Sequence, residues 1–134
     1  MSIRLGHLAV FAKDMDTSLD FYTRVLGFER AFELAHPRTG APWIVYVHMG
    51  GGHFIELFYG GQGTPPSGAF HHVCFVTDDI QAATRRITEA GYPLDSPPTL
   101  GADGNWQAWV TDPDGVRVEL MQISPDSPQG RIGG

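Results

Sequence analysis

Gly6-His7-Leu8-Ala9-Val10, followed by Asp14-Met15, has a counterpart later in the chain: His71-His72-Val73-Cys74-Phe75, followed by Asp79-Ile80. Each opening leads to a helical run, further strand-like sequence, and a glutamate inside an apolar strand. That strand is Phe54-Ile55-Glu56-Leu57-Phe58 in the first half and Val116-Arg117-Val118-Glu119-Leu120 in the second. His7 and His72 are 65 positions apart, as are Asp14 and Asp79; Gly27 and Gly91 are 64 apart, and Glu56 and Glu119 are 63 apart. Self-similarity at a near-fixed offset marks a duplicated structural unit. The slow drift marks small loop differences between the copies.

Within the first copy, Ile3–Phe11 alternates as a strand does. Met15, Leu19, Tyr22 and Leu26 then fall on one face of a helix, with Asp14 or Asp16 to cap its start and Gly27 to end it. Strands are predicted near Phe28–Leu34, Trp43–Met49 and His53–Tyr59, the last two joined by Gly50-Gly51-Gly52. The second copy repeats the order. It has a strand at Phe70–Thr77, a helix marked by Ile80, Ala83, Ile87 and Ala90, and strands near Tyr92–Pro97, Trp106–Thr111 and Val116–Ile123. Asp112-Pro113-Asp114-Gly115 supplies the last hairpin turn. The predicted class is α+β: two tandem βαβββ units whose mixed, curved sheets form a metal-binding cleft. A single domain of residues 1–134 is expected, with repeat one at 3–60, a linker at 61–69, repeat two at 70–123 and a flexible tail at 124–134.

Apolar residues at 42% and charged residues at 18% are ordinary for a soluble globular domain. The net charge of −6 and the lack of a Lys/Arg cluster argue against nucleic acid as a partner. No apolar run approaches a membrane span, and Met1-Ser2-Ile3-Arg4 leads into a strand, not a signal segment. A single cysteine excludes an internal disulfide framework and fits a reducing cytoplasm. In its apolar strand, Cys74 reads as an inert packed thiol.

Side chains alternate faces along a strand. His7 therefore shares a face with Leu5, Ala9 and Phe11, and His72 with Phe70, Cys74 and Val76. Glu56 shares one with Phe54 and Phe58, and Glu119 with Arg117 and Met121. A carboxylate among phenylalanines needs a compensating partner, and a metal ion is one. His7, Glu56, His72 and Glu119 together offer two imidazoles and two carboxylates. That set suits Ni, Co, Zn, Fe or Mn in an octahedron with two open places. Such places accept neighbouring oxygens of a small-molecule substrate, and the ion then acts as a Lewis acid that stabilises an enediolate. A carboxylate beside it can move a proton. Phe11, Phe54, Phe58, Trp106, Trp109 and Arg117 are the candidate pocket lining; the alternation places Trp106 and Trp109 on opposite faces, and Arg117, on the Glu119 face, is open to two roles, contact with an acidic substrate group or a structural ion pair. His71 is expected to point away from His72, His48 and His53 to be exposed beside the glycine turn, and His36 to be solvated.

The paired βαβββ units, the phrase Asp20-Phe21-Tyr22-Thr23-Arg24-Val25-Leu26-Gly27-Phe28, and Asp112-Pro113-Asp114-Gly115 leading to Val118-Glu119-Leu120 resemble the vicinal oxygen chelate superfamily. That superfamily includes glyoxalase I, extradiol dioxygenases, methylmalonyl-CoA epimerase, fosfomycin-resistance enzymes and bleomycin-binding proteins. The His/Glu/His/Glu set is most similar to glyoxalase I. The resemblance implies that His7, Glu56, His72 and Glu119 bind the metal, that Glu119 is the catalytic base with Glu56 taking part, and that two chains form a homodimer sharing its metal sites.

The sequence departs from that pattern where glutathione is usually held. Ala9, Val10 and Phe11 follow His7 with no basic residue, Tyr59, Gly60 and Gly61 replace the usual asparagine region, and Gly101-Ala102-Asp103-Gly104 is acidic. The implied activity is a glyoxalase I-like lyase or isomerase acting beside a carbonyl, with weak or no turnover of a glutathione adduct. The competing readings are an extradiol-type Fe(II) dioxygenase and a non-catalytic small-molecule binding or resistance protein.

Overall fold

The computed structural model describes residues 2–133; Met1 and Gly134, the ends of the expected domain and tail, lie outside the described residues. The chain divides into two units, Met1–Thr64 and Pro65–Gly134. Unit one runs β1 (His7–Ala12), α1 (Met15–Asp20), a π-helical turn (Phe21–Val25), β2 (Glu29–Ala35), β3 (Pro42–Gly50) and β4 (His53–Tyr59). Unit two runs β5 (Val73–Val76), α2 (Ile80–Glu89), β6 (Ser96–Leu100), β7 (Trp106–Thr111), β8 (Arg117–Gln122) and α3 (Pro128–Gly133). The strand orders are β1-β4-β3-β2 and β5-β8-β7-β6. In each sheet the first pair is parallel and the others are antiparallel. The class is α+β with two tandem βαβββ units.

The duplication extends to individual ladder partners. Leu8 faces Ile55 and Ala9 faces Glu56 in unit one; Val73 faces Val118 and Cys74 faces Glu119 in unit two. Tyr46 faces Glu56 as Trp109 faces Glu119. The helix starts match as well: the Asp14 carboxylate accepts the Thr17 amide at 3.0 Å, and Asp79 accepts that of Ala82 at the same distance. Of the two candidate caps in the first copy, Asp14 is the one used.

Each helix covers one face of its own sheet. In unit one, Val10, Val45, Val47, Ile55 and Leu57 are buried along with Met15, Phe21, Tyr22 and Val25. In unit two, Ile80 and Ile87 are buried together with Ala108, Val110, Val118 and Leu120. Burying a side chain of this size contributes about 1.5–3 kcal/mol. The opposite sheet faces carry the histidines and glutamates.

Several elements differ from the sequence expectation. The first helix does not continue regularly to Leu26. At Phe21 it widens, with the Leu26 amide bonding the Phe21 carbonyl at 2.9 Å. An added residue per turn rotates the stripe, so Phe21 and Tyr22 are both fully buried, whereas Leu19 and Leu26 are only partly covered. β1 begins at His7, and the preceding Ile3 and Leu5 are exposed. β5 begins at Val73, not Phe70. β6 lies later than predicted and contains Pro97 and Pro98, which an edge strand tolerates because it needs fewer ladder donors.

The segment expected as a loose tail is tied down. The buried Asn105 side chain accepts the Ser124 amide at 2.8 Å and donates to Gln129 Oε1 at 3.0 Å. Gln129 Nε2 in turn donates to Asp103 at 2.8 Å. Those contacts involve one asparagine and a short polar helix, which leave no apolar periodicity to read.

Candidate metal centre

In unit one, His7 Nε2 lies 3.1 Å from Glu56 Oε2; in unit two, His72 Nε2 lies 3.2 Å from Glu119 Oε1. Both pairs arise in the same way. The parallel ladder sets a small residue, Ala9 or Cys74, opposite the glutamate, and the histidine two positions earlier reaches across diagonally on the same face. The carboxylates are buried, at 9% and 5% exposure, while His7 is largely open and His72 less so.

The donor chemistry fits a divalent first-row ion: imidazole nitrogen and carboxylate oxygen suit Zn, Ni, Co, Fe and Mn. Each pair supplies two ligands, and a catalytic zinc-type site has at least three from protein. Among the described residues no group of three or more His, Cys, Asp or Glu side chains is gathered as a metal site. The structure thus brings the four sequence-predicted donors together as two couples, one per unit.

Three residues near His72 complete its surroundings. His71 does not turn away from it: the two Nδ1 atoms are 2.6 Å apart. One ring must donate there, and this contact orients His72 so that Nε2 faces Glu119. Trp109 meets the His72 ring edge to face, with centroids 4.7 Å apart. Cys74 is half-buried; burial first, and then the Glu119 charge and its hydrogen bond, push the thiol up to about 12. Strand alternation puts neighbouring residues on opposite faces, so the sequence predicts His71 pointing away from His72. His71 and His72 precede β5, so strict alternation does not hold there.

The pocket candidates divide. Phe11, Phe54 and Phe58 lie on the Glu56 face, with Phe11 and Phe58 in tilted contact at 5.8 Å and Phe11 68% exposed. Phe32 and Tyr46, which the sequence reading passed over, extend that face: their rings stack at 4.2 Å, and Tyr46 meets Phe54 at 6.1 Å. Cross-strand aromatic pairing was the available signal. Trp109 stands beside His72 and carries Arg117 over its ring, while Trp106 alternates onto the face of Ala108 and Val110. His48 is half-buried against Phe54 at 4.9 Å, His53 is half-buried, and His36 is half-buried against Trp43 at 5.4 Å, so these three are not the solvated residues expected. Asp103 is held below the ordinary carboxylate range by the Asn105 amide and its side-chain partners, and it serves the tail.

A fold of two βαβββ repeats, each with a His–Glu couple in the same register, defines a class. The chain belongs to the glyoxalase/bleomycin resistance protein/dioxygenase superfamily, whose family model matches residues 4–120. Among curated proteins it is 29% identical over 132 residues to the ethylmalonyl-CoA/methylmalonyl-CoA epimerase of Cereibacter sphaeroides, covering 90% of this chain and 98% of that one. It is 32% identical over 124 residues to a "Probable lactoylglutathione lyase" of Vibrio cholerae, covering 89% and 90%. A solved superfamily member from Sphaerobacter thermophilus matches with a TM-score of 0.73 and 27% identity, covering 91% of this chain and 98% of that chain. Among the described residues no helix is long and apolar enough to cross a membrane.

Proposed function

We propose that this protein is a metal-dependent lyase or isomerase that moves a proton on a carbon next to a carbonyl. His7, Glu56, His72 and Glu119 hold one divalent ion in this reading, within a homodimer that shares its metal sites in the cytoplasm. The observation that carries it is the repeated His–Glu couple at 3.1 and 3.2 Å in identical register. The named relatives support it, since an epimerase and a lactoylglutathione lyase both bear names of reactions beside a carbonyl.

A bound divalent ion supplies Lewis acidity, lowering the cost of negative charge on a substrate oxygen. Glu119 takes the proton from the carbon, and the C–H electron pair moves toward the carbonyl oxygen. Returning the proton to the other face of that carbon epimerises it; returning it to the neighbouring carbon isomerises the substrate. Glu56, the matching carboxylate of the other repeat, is the second group able to give or take that proton. His72 is kept in one orientation by His71 and Trp109. Phe54 and Phe58 flank Glu56 on one strand face, where its side chain is only 12% exposed. Ala9, Val10 and Phe11 give no cation for a glutathione carboxylate, so a glutathione adduct turns over weakly or not at all.

The test is the metal content of dialysed protein after incubation with Ni, Zn, Co, Mn or Fe, paired with deuterium uptake from D2O into a methylmalonyl thioester. Metal retained by the wild type and lost in His7→Ala, with deuterium uptake abolished in Glu119→Gln, is the expected result. A wild-type chain that holds no metal, or one that consumes oxygen on a catechol, overturns the reading.

A further inference from the structure

We propose that Arg117 is a carboxylate-binding subsite next to the His72–Glu119 couple. The substrate is then an anion, with a carboxylate a few bonds from the carbon that exchanges its proton. The inference rests on the proton-transfer reading above and adds the substrate class to it.

Position is the first argument. The Arg117 guanidinium carbon lies 4.5 Å from the centroid of Trp109, over the ring. The same indole meets the His72 ring at 4.7 Å and stands opposite Glu119 in the ladder. Arg117 and Glu119 are two apart on β8 and share a face. A single tryptophan thus fixes the cation and touches the candidate ligand.

Charge is the second. Among the described residues no carboxylate lies within ion-pair distance of Arg117, and Glu119 is already engaged with His72. Stacking occupies the face of a guanidinium and leaves its N–H edge open, and that edge matches a carboxylate in a two-pronged fashion. In a chain with 15 acidic and 9 basic residues, a fixed cation at this spot selects for an anion locally.

The duplication supplies the third. The ladder position of Arg117 is held in unit one by Phe54, and that of Trp109 by Tyr46. Phe54 and Tyr46 also meet ring to ring, at 6.1 Å. The strand therefore accepts an apolar residue here and folds in the same register. The donors are symmetric between the repeats while the residue beside them is not, so the cation is a property of the site and not of the sheet.

Lactate and malate test this by equilibrium titration of the metal-loaded protein. They share an α-hydroxycarboxylate head for the metal, and malate adds one carboxylate arm. The wild type is expected to bind malate at least tenfold more tightly than lactate. Arg117→Met removes that preference and leaves the lactate Kd within twofold; Arg117→Phe, which copies the residue of unit one, does the same in a side chain the fold tolerates. An unchanged malate-to-lactate ratio in both variants overturns the Arg117 subsite while the metal reading stands. Absence of lactate binding to the wild type speaks against the metal reading itself.

Discussion

Cys74 stands directly opposite Glu119 in the parallel ladder, and its thiol hydrogen-bonds that carboxylate. Burial is the largest cause of its raised pKa of about 12, with the Glu119 charge and hydrogen bond adding to it. The native thiol therefore stays protonated where an unfolded thiol, near 9.0, has ionised. Alkylation of metal-free protein by iodoacetamide, followed by mass spectrometry, is expected to accelerate only as pH nears about 12. Above the unfolded value the unfolded chain binds fewer protons than the native one, so this group makes stability fall as pH rises. A native alkylation profile that tracks the urea-unfolded chain contradicts this.

His71 orients His72 through their Nδ1 contact. Loss of such an outer partner typically weakens metal binding by roughly 10- to 100-fold. If the proposed centre binds metal, His71→Phe shows that loss by competition with a chromophoric chelator. The thermal midpoint of the metal-free variant stays at the wild-type value, which separates orientation from unfolding. Unchanged metal affinity removes the role.

Asn105 is fully buried and bridges Ser124 to Gln129. Asn105→Ala removes two side-chain hydrogen bonds made from a fully buried position, at a cost of about 0.5–1.5 kcal/mol each. Urea unfolding reads that loss. Trypsin cleavage at Arg131 in α3 is expected to quicken in the same variant, because the contacts that dock the helix are gone.

Asp14 and Asp79 cap matching helices. Alanine at either position is expected to lower the urea midpoint at pH 7. For Asp14, the Thr17 backbone amide is the largest cause of a lowered pKa. Its contribution is complete above the unfolded carboxylate value and is lost as pH falls through the lower folded one. The wild-type advantage over Asp14→Ala thus narrows on acidification; an advantage that widens contradicts the assignment.

The repeat was readable because it is written in residue types that local physics constrains. A capping aspartate, a helix-ending glycine and a glutamate among apolar neighbours recur at one offset, and the ladders follow it. Strand alternation put Phe54, Glu56 and Phe58 on one face and Trp106 and Trp109 on opposite ones. What failed to show in sequence depends on single hydrogen bonds or small angular changes. The widened turn at Phe21 shifts the buried stripe by one residue without a Gly or Pro to announce it. His71 lies outside a strand, where alternation gives no guidance, and Asn105 holds the tail through polar contacts that have no period.

β1 pairs with β4, the last strand of its unit, and β5 with β8 in the same way. His7 thus meets Glu56 only after the whole intervening segment has folded back, and His72 waits likewise for Glu119. Contacts so distant in sequence form late and slowly. A nascent or half-folded repeat presents one member of its couple at a time, so each His–Glu couple is complete only once its own sheet has closed.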